Sequence, residues 1–498
     1  MTPFRAALLA ASILFPVGSG AVAEDVTLTS SDGTIVLSGQ ILNYDGSVYL
    51  IASEYGVLSV DGRAVICTGS ACPEPGQYVA KWRVAGARPG IDVLLPVLLE
   101  TFAQDQGLSF SREDVGDAQF QYTLHAPDSD AVVARIDFQP STTAQGFEEL
   151  ADGTADFAVS TREPDATESE RVALQSRLLA LDALVAVVAP GSTRDEIALD
   201  QLAALIGAPG DTPLHLPAAN TPLSRSLSER LLVPSGTSIG AQATRHVEPE
   251  ELAAAVDQNP AAVGITLLSN VKFLRPLPLV GTCGTRIDPQ PKPIKTEDYP
   301  LTVPHYLYLS GRRLPAMARD FLAFLSSRPA RDVINAAGFI DQTIDETSLA
   351  DQGDRLVRAI LGTGEDVGAS ALRRLVGALD GAARLTPTFR FKDGSADLDA
   401  PSRANVALVA AAIADGAFTD RELLVAGFSD GLGGGAANIA LSAERATAVR
   451  QAIENALAAE DRDSVSFLAQ GFGEALPIAC DDDSWGRSIN RRVELWVR

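Results

Sequence analysis

The chain is poor in the residues that carry metal and redox chemistry. Its 498 residues include only 4 His, 4 Cys, 3 Trp and 2 Met. The histidines and cysteines are scattered and show no zinc-ligand spacing. None of the histidines lies in a nucleophile, metal or phosphate-loop motif. No catalytic residue, metal or cofactor emerges, so a non-enzyme is expected. Positive charge is also scarce, with 40 Lys and Arg against 64 Asp and Glu and a net charge of −24. Neutralising nucleic-acid phosphates takes Lys and Arg, so no nucleic-acid partner is expected. The same balance disfavours long-range steering of anions. No segment after the N-terminus reaches the roughly 20 apolar residues that span a bilayer. Tandem repeats and low-complexity tracts are absent as well. Hydrophobic residues at 46% and charged residues at 21% are ordinary for a folded chain. The length calls for about three domains.

The first 23 residues read as a secretory signal. Arg5 supplies the charged start, Ala6 to Val17 the apolar stretch, and Ala21-Val22-Ala23 an A-x-A site before Glu24. The apolar stretch is too short for a membrane anchor, and Pro16, Gly18 and Gly20 interrupt the segment around it. No cysteine lies near the cleavage site, so no lipid is expected there. Export permits disulfides. Cys67 and Cys72 in CTGSAC form a plausible small loop, while Cys283 and Cys480 either pair across domains or stay free.

The pattern along the chain gives an α/β multidomain protein. Residues 24–72 alternate apolar and polar positions between Asn-Tyr-Asp-Gly and Tyr-Gly turns, which predicts a small antiparallel β module. Pro73, Pro75 and Gly76 punctuate its end. Residues 73–341 alternate strands and helices. Within them ALDALVAVVA reads as a buried strand of the parallel type. Residues 342–384 read as a helical connector, with Leu356, Ile360, Leu372, Leu375 and Leu379 at helical spacing. Residues 385–498 open a further α/β unit on the strand FRF.

The clearest chemical constellation lies in that last unit. The strand ELLVAGFS ends at Asp430, a glycine-rich loop follows, and a long helix then starts near Asn438 and carries Arg445. A fixed anion and a fixed cation close together suit a zwitterionic ligand. A guanidinium grips a carboxylate and a carboxylate grips an ammonium. The ordinary alternative is a loop-to-helix salt bridge between the two. The ordered motifs GFSD, N-x-x-L-S-x-x-R-A, GFGE with Pro477, and NRRVEL resemble the OmpA-like peptidoglycan-binding domain shared with Pal and MotB proteins. FKDGSADLD resembles that family's opening strand and loop. The resemblance implies an OmpA-like α/β sandwich. It implies that Asp430 and Arg445 hold the ammonium and carboxylate of diaminopimelate in the stem peptide, with Asn438 and Ser429 in support. One of Arg491 and Arg492 then points into or supports the groove, Arg491 being taken for that role, and the other is solvated. Ser429 and Phe428 stand where the family more commonly has Thr and His, changes that leave the charged pair intact. Trp485 and Trp496 read as packing residues.

The middle region resembles the phosphate-type, PstS-like periplasmic substrate-binding proteins. The carriers are VAGARPGIDVLLPVLLETFA, DGTADFAVSTREP, LDALVAVVAPGS, LDQLAALIGAP, NPAAVGITLL, EDYPLTVPHYLYL and AGFID, in that order. The resemblance implies two α/β lobes with an anion in the cleft, held by helix N-termini and hydroxyls. The anion-binding residues it implies are Arg88, Ser141, Thr142, Thr161 and Arg162, with Thr143 beside them. The first loop, Gly86 to Gly90, lacks the usual hydroxyl, and Asn220 to Ser224 replaces a later S-G-T helix start. The ordinary reading of each hydroxyl is a helix N-cap.

These readings combine into a peptidoglycan-attached periplasmic solute-binding protein near the outer membrane. Its expected ligand is phosphate or another small anion, with a link to ABC transport and to transporter or outer-membrane proteins. The alternative is an envelope structural or assembly protein whose lobes serve as a ligand-free scaffold. The β module is a docking element, a lid or a stabiliser.

Overall fold

The computed structural model describes residues 26–498 apart from 74–77, 89, 117, 128, 220, 282–284, 354, 358–366, 393–394, 396 and 483. The signal-like N-terminus, Pro75, Gly76, Asn220, Cys283 and Ile360 therefore lie outside the described residues. The chain divides into two compact units, residues 1–80 and 81–498.

The first unit is one antiparallel sheet of five strands, Val26–Ser30, Val36–Tyr44, Val48–Ser53, Gly56–Asp61 and Val65–Thr68. Their spatial order is fourth, third, second, first, fifth. Alternation buries Val26, Leu28, Tyr49 and Ile51 on one face. The Asp45 carboxylate builds one turn by accepting from Ser47 N at 2.9 Å and Val48 N at 2.8 Å. A core this small needs a covalent staple. The disulfide between Cys67 and Cys72 supplies one, at a Cα separation of 5.8 Å.

The second unit begins with two lobes sharing one mixed sheet of 11 strands. Two long strands, Leu174–Val188 and Thr302–Ser310, pair antiparallel and pass from lobe to lobe. The early half of Leu174–Val188 belongs to the first lobe. Its later half pairs antiparallel with Val263–Leu267 in the second. The parallel pairing expected of this apolar run is therefore wrong. The run is continuous because Leu181 and Ala183 to Val188 are all buried in the core of the second lobe. The second lobe packs Leu184, Val187, Ile206, Leu216, Val256 and Ile265 into its core. Helix Arg328–Ala336 closes the region, and Gly338 at φ 85° terminates it.

The C-terminal domain is a five-stranded sheet in the order Glu346–Ser348, Ala383–Phe389, Val493–Val497, Glu422–Gly427, Ser466–Gly471. Two helices, Ala400–Ala414 and Gly435–Ala456, cover one face. The segment expected to be a connector belongs to this domain. It supplies the edge strand Glu346–Ser348 and the helix Ala369–Leu379. Leu375 and Leu379 of that helix are buried against Leu424, Phe428, Phe472 and Trp496 on the other face. The opening strand runs from Ala383 to Phe389, earlier than FRF, so Phe391 follows it in the loop.

Candidate functional site

In the C-terminal domain the strand Glu422–Gly427 delivers Phe428, Ser429 and Asp430 to the end of the sheet. The helix Gly435–Ala456 lies closely against it. A Cβ on Gly427 would collide with the carbonyl of Ser442, and one on Gly471 with the backbone of Ala443. This close approach lets Arg445, one turn beyond Ser442, reach the charges at the strand end.

Asp430 is 9% exposed, and Arg491 Nη1 donates to its Oδ2 at 2.9 Å. No ion pair joins Asp430 to Arg445. The Arg445 guanidinium lies 5.6 Å from the centre of the Phe391 ring. Burial lowers its pKa, the Arg491 charge adds to that effect, and the Asp430 charge opposes it. Arg445 Nη1 and Ser429 Oγ are both buried, and among the described residues neither has a hydrogen-bond partner. A buried donor left unpaired costs about 1–3 kcal/mol. Both donors lie close in the fold to Asp430, Ser429 as its chain neighbour and Arg445 within reach of its charge.

The surrounding residues hold this arrangement. Asn438, 4% exposed, donates to Glu474 Oε1 at 3.0 Å. Asp481 accepts from Gly431 N at 2.6 Å and from Asn490 Nδ2 at 2.8 Å, which ties the glycine loop to the segment before Arg491. Arg492 is not solvated as expected; it is fully buried. It donates to Glu494 at 2.7 Å and to Leu476 O at 2.8 Å, and its guanidinium lies over Phe428. Alternation explains the split, since successive residues entering the strand Val493–Val497 face opposite ways. Trp496 is 1% exposed, donates to Glu494 and is a packing residue; Trp485 packs on Ile478, Ala479 and Ile489.

The second candidate site is a cavity of about 460 Å³ between the lobes. Thr142, Thr143, Thr161 and Arg162 line one wall, and Thr221, Ser224, Arg225 and Arg245 line the other. Thr142 caps the helix Thr143–Asp152 by accepting from Gln145 N at 3.2 Å. Thr143 is 6% exposed, and its Oγ1 has no partner among the described residues. Thr161 is 7% exposed. Arg162 is already matched. It donates to both oxygens of Glu168 at 2.7 and 2.8 Å, and these bonds raise its pKa while burial opposes them. Glu168 also completes a capping box with Asp165, and this D-x-x-E signal is visible in the sequence. Arg88 and Ser141 do not line the cavity. Arg88 sits in an exposed ion pair with Asp92 at 3.5 Å, and the Ser141 hydroxyl donates to Thr142 O at 3.4 Å. Arg245, overlooked in the sequence, donates to Pro217 O at 2.8 Å and to Ser224 Oγ at 3.5 Å. Thr221 acts as an N-cap, accepting from Ser224 N at 3.1 Å.

Residues 79–329 match the family model described as a PBP superfamily domain, which is slightly more than half of the chain. The chain belongs to the PBP superfamily. Residues 390–491 match the OmpA family, so a binding-protein domain is followed by an OmpA-family domain. No curated protein matches the chain significantly. Similar solved structures include an ABC-type phosphate transport receptor from Vibrio cholerae. It is 18% identical with a TM-score of 0.41, over 52% of this chain and 99% of that one. A putative phosphate ABC transporter substrate-binding protein with bound phosphate from Clostridium perfringens is 13% identical with a TM-score of 0.41, over 52% and 99%. PstS from Borrelia burgdorferi is 14% identical with a TM-score of 0.38, over 53% and 98%. Among the described residues no helix is long and apolar enough to cross a membrane, and no group of three or more His, Cys, Asp or Glu could hold a metal.

Proposed function

We propose that this chain is a non-enzymatic, periplasmic solute-binding protein attached to peptidoglycan through its OmpA-family domain. The observation that carries the reading is the pair of unpartnered buried donors, Arg445 Nη1 and Ser429 Oγ, beside the Asp430–Arg491 pair. The carboxylate of a diaminopimelate residue suits Arg445 and Ser429. Its ammonium suits Asp430, which shares its charge with Arg491. Asn438 and Glu474 hold the helix side of the site. The test is sedimentation of the full chain with purified peptidoglycan. Binding by the parent and loss in Arg445→Ala supports the assignment, and equal sedimentation of both refutes it.

For the cleft, the reading is a small anion such as phosphate. It is supported by Thr143 Oγ1, a buried hydroxyl without a partner among the described residues, at the start of a helix whose first residues, Thr142 to Ala144, line the cavity. Titration calorimetry with phosphate and sulfate tests it. The pairing of Arg162 with Glu168 supports the second reading, a ligand-free scaffold, because the cation expected to meet the anion is already neutralised. Absence of heat with either anion would favour that scaffold. A link to ABC transport and a position near the outer membrane follow only from the first reading.

A further inference from the structure

The OmpA-family domain touches both lobes of the binding domain. On the first lobe, the Glu163 carboxylate accepts from the backbone N of Ala400 and from Arg403 Nη2, the latter at 3.3 Å. Ala400 itself is fully buried in a cluster with Phe147, Leu150, Ala158, Tyr306 and Tyr308 of that lobe. On the second lobe, Arg384 donates to both oxygens of Asp298 at 2.7 and 3.1 Å, with side chains only 5% and 17% exposed. Arg390 donates to Glu297 O at 2.8 Å, and its Nε lies 3.5 Å from the Glu297 carboxylate. Burial works to raise the Asp298 pKa, and the Arg384 charge outweighs it. Breaking such a buried pair strands a charge away from water, so these contacts resist separation.

Two-lobed binding domains take ligand by hinge closure of one lobe on the other. Among the described residues, the strands Leu174–Val188 and Thr302–Ser310 run from lobe to lobe in the shared sheet and form its hinge. A rigid third body fastened to both lobes removes that freedom. We propose that the OmpA-family domain is a clamp that holds the two lobes at one angle. Closure around a ligand must then break the Glu163 contact or the Asp298 contact. The clamp also reaches both candidate sites. Glu163 directly follows Arg162, which lines the cleft. Arg390 donates to Ser488 O at 3.2 Å and Ile489 O at 2.9 Å, in the segment that leads to Arg491. Whatever biases the lobe angle thus bears on the segment that carries a wall-site residue, the linkage that makes coupling reciprocal.

The clamp stands on contacts alone, whereas the identity of the ligands rests on the function proposed above, so the test reads geometry without ligand. Spin labels attached at Glu148 and Glu251, exposed helical positions on the first and second lobes, report the interlobe distance in the full chain by electron–electron resonance. The parent is expected to show one narrow distance. Glu163→Ala combined with Arg403→Ala removes the polar hold on the first lobe and should broaden the distribution; Asp298→Asn, which weakens the hold on the second, should do the same. The double variant changes half-exposed groups and keeps the domain cores, so it remains informative if Asp298→Asn unfolds the chain. A broad distribution in the parent, or an unchanged narrow one in the double variant, overturns the clamp. Peptidoglycan sedimentation and calorimetry on the same samples judge the ligand readings separately.

Discussion

Asp430 is held by Arg491 at 2.9 Å and leaves Arg445 with a buried, unpartnered Nη1. The simple salt bridge between Asp430 and Arg445, the ordinary explanation of that sequence pair, is not formed. Arg445 therefore contributes little to folding through ion pairing, and its removal should separate binding from stability.

Arg445→Ala is expected to weaken sedimentation with peptidoglycan more than tenfold while moving the melting temperature little. A charge-assisted hydrogen bond to a ligand carboxylate is worth about 1.5–3 kcal/mol. Asp430→Asn should also lose binding, and it should lower stability modestly because the ion pair with Arg491 is lost. A parallel fall of binding and melting temperature in Arg445→Ala would place the residue in the fold and not in the site.

Thr143→Val is expected to raise stability by up to about 1 kcal/mol, because it removes a buried hydroxyl that has no partner. Calorimetric affinity for phosphate should fall in the same variant. Arg162→Ala should act in the opposite sense. It strands Glu168 and disturbs the loop at Asp165, so thermal stability falls. If Thr143→Val destabilises the chain, its Oγ1 has a structural partner after all.

Glu494 is fully buried and faces Arg355, Arg384 and Arg492. Burial alone would raise its pKa, and the three guanidinium charges outweigh that and hold it far below the ordinary glutamate range. Its folded pKa is depressed, so its stabilisation is present above the unfolded value and is lost only as the pH falls through the low folded value. Glu494→Gln leaves three cations around a neutral group and should cost about 3–5 kcal/mol in urea unfolding. A loss under about 1 kcal/mol would mean that the cluster relaxes to water.

Asp182, 1% exposed on the strand that passes between lobes, has its pKa pushed up to about 7 by burial. Hydrogen bonds from Ser269 Oγ at 2.6 Å and from Ala183 N at 2.7 Å oppose the shift without reversing it. The folded state keeps a proton that the unfolded chain releases near pH 4, so this group stabilises the fold below that pH. The contribution falls as pH rises to about 7, by at most about 1.4 kcal/mol per pH unit. Asp182→Asn keeps the acceptor for Ala183 N and should remove that slope. Identical pH profiles for parent and variant, measured by urea unfolding from pH 4 to 8, would show that Asp182 ionises normally.

The order of elements was legible because it is local. Alternation marks the β module, and Asp45-Gly46 marks its turn, since one carboxylate can close a turn on its own neighbours. The charged residues of the proposed C-terminal site are grouped in the sequence for a similar reason: a strand end, a glycine loop and a helix start follow one another there. The segment 342–384 belongs to the domain and not to a connector; the helical spacing of Leu375 and Leu379 says which face is apolar and not what covers it. Phe428, Phe472 and Trp496, distant in sequence, cover it.

What the sequence determined by itself is therefore where most strands, helices and turns fall, and which charges a single loop can gather. Those choices depend on backbone preference and on side-chain period, both set within a few residues. Only the tertiary structure decided which charge pairs with which. Arg491 takes Asp430, Glu168 takes Arg162, and Asp298 takes Arg384 from a different domain. An arginine can satisfy any nearby carboxylate, and in a chain with 64 acidic residues composition leaves the choice open. Packing resolves it, because a buried guanidinium must find its partner where the backbone happens to bring one.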